Sequence, residues 1–246
     1  MNIINKTVLI TGGSAGIGFQ TAKLLSEKGN KVIITGRNET TLQKAAGSLN
    51  NVSYFVSDVT KEEDVNGLID HLNQYYPELD VLINNAGNAF AYNLSADAGA
   101  FDKASSEMTT NYFAVIRLTE KLLPLLSKQP EAAIVNVTSI VVFAPNTFIS
   151  TYSASKAALH SYTQSLRHTL AATTKIKVFD LMPPLVNTEF SKAIGGDNGI
   201  PPQAVAEQLL EGLTADEPEI HVGDTAHVYN VFLSSPQEAF DMLNPA

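Results

Sequence analysis

The feature that most constrains the fold is a glycine run set at the end of an apolar, β-branched segment. Thr7 to Thr11 is followed at once by Gly12-Gly13-Ser14-Ala15-Gly16-Ile17-Gly18, which leads straight into a helical pattern. A strand, a glycine turn and a helix in that order bring free backbone N–H groups and the positive end of a helix dipole to one point. Such a point receives a phosphate. Gly12 permits the tight turn, Gly16 lets backbone approach a pyrophosphate, and Gly18 allows the helix to pack closely on the strand; Ile17 belongs to the same binding loop.

The rest of the chain repeats the alternation. Apolar runs at Thr7–Thr11, Lys31–Thr35, Val52–Val56, Val81–Asn84, Ala133–Thr138, Lys177–Met182 and Ile220–Val222 read as strands. Helical patterns lie between them near Ile17–Lys28, Glu39–Leu49, Lys61–Tyr75, Glu107–Ser127, Tyr152–Thr173 and Gln203–Leu213. Successive βαβ units predict an α/β fold: a doubly wound, parallel, seven-stranded sheet of the Rossmann type, in one domain over residues 1–246. Thr60 with Glu63 reads as a capping box, and Gly29 stands where a helix should stop. The stretch 183–202, with Gly195, Gly196 and Gly199, is too glycine-rich for a regular element and reads either as a substrate lid or as a disordered insertion.

Composition removes several classes of function. With no cysteine among 246 residues there is no disulfide, no thiolate nucleophile and no thiolate metal site. The formal charge of -9 disfavours nucleic acid and acidic membrane surfaces as partners. No apolar run approaches the ~18 residues that span a bilayer, and a strand-like segment occupies the N-terminus, so a soluble, cytoplasmic protein is expected. The spacings of His160, His168, His221 and His227 suit no metal, which leaves surface or packing roles for the histidines.

Cofactor choice is written after the second strand. Ile34-Thr35-Gly36-Arg37 carries no acid for a ribose 2'-hydroxyl; Arg37 either offers a guanidinium to a 2'-phosphate and a flat face to adenine, favouring NADP(H), with Ser14 adding a hydroxyl to the same phosphate, or is a solvated loop arginine. Asp58 either accepts from the adenine amino group or belongs to the turn before the next helix. Asn84-Asn85-Ala86-Gly87 leaves the fourth strand at the carboxyl edge, where ligands of such sheets bind, although turn chemistry accounts for it equally.

Tyr152 and Lys156, four residues apart, share a helical face, with Ser139 thirteen residues upstream of the tyrosine. An ammonium beside a phenol favours the phenolate and lets the tyrosine exchange a proton near neutral pH. A serine at a strand end facing that helix would hydrogen-bond a carbonyl oxygen while the tyrosine protonates it.

These motifs together resemble the short-chain dehydrogenase/reductase family in its compact, single-domain form. They run in order from Thr7 to about Val222: the glycine loop, Asn84 to Gly87, Asn111, Ser139, Tyr152 with Lys156, and Pro183 to Thr188. Gln129 to Val135, Ala158 to Ser161 and Leu166 to His168 look like the DltE-like subgroup. The resemblance implies that Tyr152 is the general acid of carbonyl reduction, Lys156 its tuner and a ligand of the nicotinamide ribose, Ser139 the group that polarises the substrate oxygen, and Asn111 the holder of a relay water. It implies that Asn85, Ala86, Gly87, Pro183, Val186 and Thr188 also line the cofactor site, with Val186 and Thr188 on the carboxamide, and that the chain is a homodimer or homotetramer.

Two departures stand out. Pro184 replaces the glycine that commonly follows Pro183, stiffening the loop. Ile140-Val141-Val142-Phe143 follows Ser139 with no glycine, and with Phe148, Leu185 and Phe190 it reads either as a pocket for a hydrophobic ketone or as ordinary core. An NADPH-dependent carbonyl reductase or alcohol dehydrogenase is the leading expectation. A 3-ketoacyl thioester reductase and a catalytically silent NADP-binding sensor are the alternatives.

Overall fold

The computed structural model describes residues 1–245. The run Thr7–Thr11 forms β1, buried at every position. Similar apolar runs form β2 (Lys31–Gly36), β3 (Val52–Val56), β4 (Leu79–Asn84), β5 (Ala132–Val137), β6 (Ile176–Met182) and β7 (Glu219–His221). All pair in parallel, in the order β3-β2-β1-β4-β5-β6-β7.

A parallel sheet covered on both faces needs apolar side chains at consecutive positions. On β1, Val8 and Ile10 enter one core while Leu9 enters the other. The first core is closed by α1 (Gly16–Glu27), α2 (Glu39–Gly47) and α7 (Pro202–Ala215), through residues such as Leu25, Leu42 and Leu209. The second is closed by α3 (Glu62–Tyr75), α5 (Ala114–Leu126) and α6 (Ser150–Thr173), through Leu68, Leu122 and Leu170. Strand addition reverses direction between β1 and β4, which opens a crevice beyond their carboxyl ends.

Several expectations are corrected. The Thr60–Glu63 capping box does not form: the Thr60 hydroxyl donates to Asp58 Oδ1 at 2.7 Å, and α3 begins after Lys61 with no side-chain cap. The Thr60 amide also donates to Asp58 Oδ1 at 3.0 Å, so Thr60 is held in the Asp58 turn ahead of the helix and Lys61 takes the N-cap position. The helix expected over 107–127 is three pieces: α4 (Ala100–Met108), a π turn (Thr109–Phe113) and α5. The stretch 183–202 is not wholly irregular, since 3-10 turns at Glu189–Ile194 and Gly196–Asn198 and a Val186–Ile200 bridge tie its base. Two C-terminal helices were not anticipated, α8 (Thr225–Ser234) and α9 (Pro236–Leu243). Gly29 ends α1 as expected, with φ 84.

Candidate active site

A cavity of about 800 Å³ runs from the glycine loop across the carboxyl ends of the strands to Tyr152. At its near end Gly12 takes φ 66 in the turn. A Cβ on Gly18 would stand 2.4 Å from the Gly12 carbonyl oxygen, so close helix-to-strand packing depends on that glycine. The N-cap of α1 is Ala15, which gives the helix no side-chain hydrogen bond. The first-turn amides therefore keep their anion-binding capacity, and the loop fits a pyrophosphate.

Asn85 lines the cavity and also braces the glycine turn. Its Nδ2 donates to the carbonyls of Thr11 (2.9 Å) and Gly12 (3.0 Å), while the amides of Asn85 and Ala86 both donate to Thr11 Oγ1 at 3.0 Å. The side chain clamps the glycine turn to β4, leaving Ala86 and Gly87 along the cavity wall. On the opposite wall a Cβ on Gly16 would touch the Thr188 methyl at 3.1 Å, so the loop after β6 closes against the glycine turn.

Arg37 is exposed at the cavity edge, beside Ser14, Asn38, Thr41 and Asp58. Burial acts to raise the Asp58 carboxyl, but hydrogen bonds from the Thr60 amide and hydroxyl, with the charges of Arg37 and Lys61, outweigh it and leave it below the usual range. Asp58 thus belongs to its own turn and lines the cavity as well.

At the far end Ser139, just past β5, is buried at 7% exposure and caps a 3-10 turn over Ile140–Val142. Tyr152 and Lys156 project from the first turns of α6, with Lys156 Nζ 5.7 Å from the Tyr152 ring centre. Nζ donates to the Val137 carbonyl at 2.7 Å. Burial pulls the ammonium down to about 8, against the raising charge of Asp180. Burial also pushes the Tyr152 phenol well above its ordinary value; the facing Ser139 hydroxyl opposes this and the Glu107 charge adds to it. The phenol lowering expected from Lys156 is therefore absent in the protein by itself, because desolvation of a phenolate exceeds the help of an ammonium that is bonded elsewhere. The phenol keeps its proton.

Asn111 sits in the π turn rather than a regular helix and is 1% exposed. Its Nδ2 donates to the Asn88 carbonyl and to Ser155 Oγ, both at 2.8 Å, and its Oδ1 accepts from the Asn88 amide at 2.8 Å. It braces the segment after β4 beside Lys156.

The far end of the cavity is lined by Ile140, Val141, Leu185 and Phe190, four of the apolar groups singled out in the sequence. Val142, Phe143 and Phe148 do not line it; Phe143 instead packs among His160, His221, Tyr229 and Phe232. Sequence reasoning missed the C-terminal wall: Val228, Met242 and Leu243, with Asp224 and His227 at its polar edge. His227 therefore lines the site, and His160 Nδ1 meets the buried Asp180 Oδ2 at 2.7 Å, neither of them a plain surface or packing role. The wall is held by Asn146 Nδ2 donating to the Leu243 carbonyl (2.7 Å) and by Asn244, which accepts from the Thr147 amide (2.7 Å). One signal was legible: Ser235-Pro236 with Glu238 is a helix start, and Ser235 Oγ accepts from the Glu238 amide. Among the described residues no carboxylate and histidine cluster could hold a metal, and no helix is long and apolar enough to cross a membrane.

The sequence profile of the short chain dehydrogenase family matches residues 6–199. An uncharacterized oxidoreductase of Bacillus subtilis (strain 168), DltE, is 38% identical over 225 residues, covering 89% of each chain. Among solved structures, a short chain dehydrogenase from Burkholderia cenocepacia J2315 in complex with NADP superposes with a TM-score of 0.88 at 24% identity, over 99% of each chain. A short chain dehydrogenase/reductase from Burkholderia phymatum in complex with NAD gives 0.88 at 20% identity, over 100% of this chain and 98% of that one.

Proposed function

The chain belongs to the short chain dehydrogenase family and is a short-chain oxidoreductase, and on that premise we propose that it reduces an apolar ketone with NADPH, or oxidises the corresponding secondary alcohol. The observation that carries this reading is the meeting of Ser139, Tyr152 and Lys156 on one wall of a cavity whose other end is the uncapped start of α1. A bound reduced nicotinamide supplies the hydride. All else falls to the chain.

Ser139 donates a hydrogen bond to the carbonyl oxygen, and Tyr152 delivers its proton to that oxygen as negative charge develops there. Lys156 stabilises the phenolate left behind and binds the ribose. Asn111 Oδ1, which already accepts from the Asn88 amide, has a second lone pair for the water that returns a proton through Lys156. Val186 and Thr188 hold the carboxamide. Arg37, with no acid at the end of β2, supports NADPH over NADH.

The segment 183–202 serves as a lid: its exposed Phe190 lies 6.1 Å from the Tyr152 ring, centre to centre. We further propose a cytoplasmic homodimer or homotetramer, joined through α4 and the π turn, where Phe101 is 82% exposed and Phe113 53%.

The test is consumption of NADPH with aryl ketones, ketoesters and a 3-ketoacyl thioester. Turnover of the free ketones, without competition by the thioester, supports the reading. Tight NADPH binding with no turnover of any of them sinks it and favours a sensor.

A further inference from the structure

Behind the reacting groups lies a second polar cluster that the reduction does not by itself require. Asp180, on β6, is fully buried. Its Oδ2 meets His160 Nδ1 at 2.7 Å, and its Oδ1 accepts from Thr138 Oγ1 at 2.5 Å. A carboxylate placed in a sheet interior is costly unless paired. Here both its oxygens are used.

The position of its partners gives the cluster a purpose. Thr138 stands between Val137, whose carbonyl holds Lys156, and Ser139. His160 is one helical turn beyond Lys156 on α6, so the same carboxylate grips the strand end that carries Ser139 and the helix that carries Lys156 and Tyr152. Lys156 itself is 4% exposed, and its ammonium has one hydrogen bond, to Val137. Tyr152 lies beside Lys156 and feels the charge of Glu107 on α4, while around Asp180 stand His160 on α6 and His221 at the end of β7, with Glu217 and Glu219 near His221. Asp180 is the charge that bears on the ammonium.

We propose that Asp180, oriented by His160, is a positioning residue of this active site: its buried charge keeps Lys156 an ammonium, and its bond to Thr138 holds Val137 and Ser139 in place. The inference rests on the reductase reading for its effect on turnover, but the state of Lys156 can be measured without turnover.

Asp180→Asn is a near-isosteric test. The amide oxygen still accepts from Thr138, the amide nitrogen still meets the other tautomer of His160, and only the charge is lost. Titrating the lysine side chains by NMR in the cofactor-free protein, with the Lys156 signal identified by its absence in Lys156→Arg, reads the effect directly. The Lys156 midpoint should fall by about one pH unit from its wild-type position. The alkaline limb of kcat/KM for ketone reduction should move down by the same amount, while the melting temperature and NADPH affinity set the structural background. If Asp180→Asn does not fold, Asp180→Leu keeps the branching of the side chain, removes the charge and predicts the same shift. A Lys156 midpoint within about 0.2 unit of wild type in either folded variant overturns the inference. Full turnover by Tyr152→Phe would instead overturn the reductase reading and leave the Lys156 titration to judge Asp180 alone.

Discussion

Lys156 is a charged group in a place that resists charge, and this sets the pH behaviour of the site. Its ammonium titrates at about 8, below the ordinary lysine value, because burial disfavours the charged form. Below that pH the ammonium is present to stabilise the Tyr152 phenolate; above it the support is lost. Ketone reduction should therefore be level through neutrality and fall as pH rises through about 8, read from kcat/KM at fixed NADPH. A profile level to pH 10 would contradict this. Arg37 makes a second prediction: Arg37→Asp should raise the Michaelis constant for NADPH by more than about tenfold and leave that for NADH within about twofold. The reacting residues were legible because their roles demand fixed types at fixed spacings. The clamps were not: nothing in the spacing of Asn85 from Gly12, or of Asp180 from His160 and Thr138, marks them, since their partners meet only once the strands are paired.

Among the elements, the start of α1 is where local structure and chemistry meet. Gly18→Ala would drive a methyl to 2.4 Å from the Gly12 carbonyl oxygen, which is backbone and cannot swing aside. It should cost about 1–3 kcal/mol of stability and weaken NADPH binding far more than the same change at Gly47, which has nothing within 4 Å; thermal melts and fluorescence titration check both. The C-terminal clasp predicts a change in selectivity. Asn244→Ala loses the acceptor for the Thr147 amide and the donor to the Pro145 carbonyl, so KM for bulky ketones should rise severalfold with kcat nearly unchanged. The strands were read almost to the residue because a sheet buried on both faces needs uninterrupted apolar runs. The helix over 107–127 was misread because a π turn leaves the helical pattern of polar and apolar residues almost undisturbed, and Ala100–Met108 has a single fully buried residue, Glu107, to betray its inner face.

For the molecule as a whole, the doubly wound order puts the pyrophosphate loop, the proton donor and the C-terminal wall on one edge of the sheet, so that one cavity serves cofactor and substrate. The parallel, doubly wound sheet was legible in the alternation of elements, whereas the closing of the pocket by α8 and α9 depends on contacts between segments about a hundred residues apart, Asn146 with Leu243 among them. The exposed Phe101 and Phe113 predict association: light scattering should give a mass of two or four 26.4 kDa chains, and Phe113→Glu should lower it. The central claim is that Tyr152 gives the proton in a hydride transfer, and it is tested most directly by comparing wild type with Tyr152→Phe on one ketone at saturating NADPH. The phenylalanine variant should bind NADPH within about twofold of wild type and lose about 10²–10⁴-fold in kcat. Equal kcat in the two proteins would contradict the account.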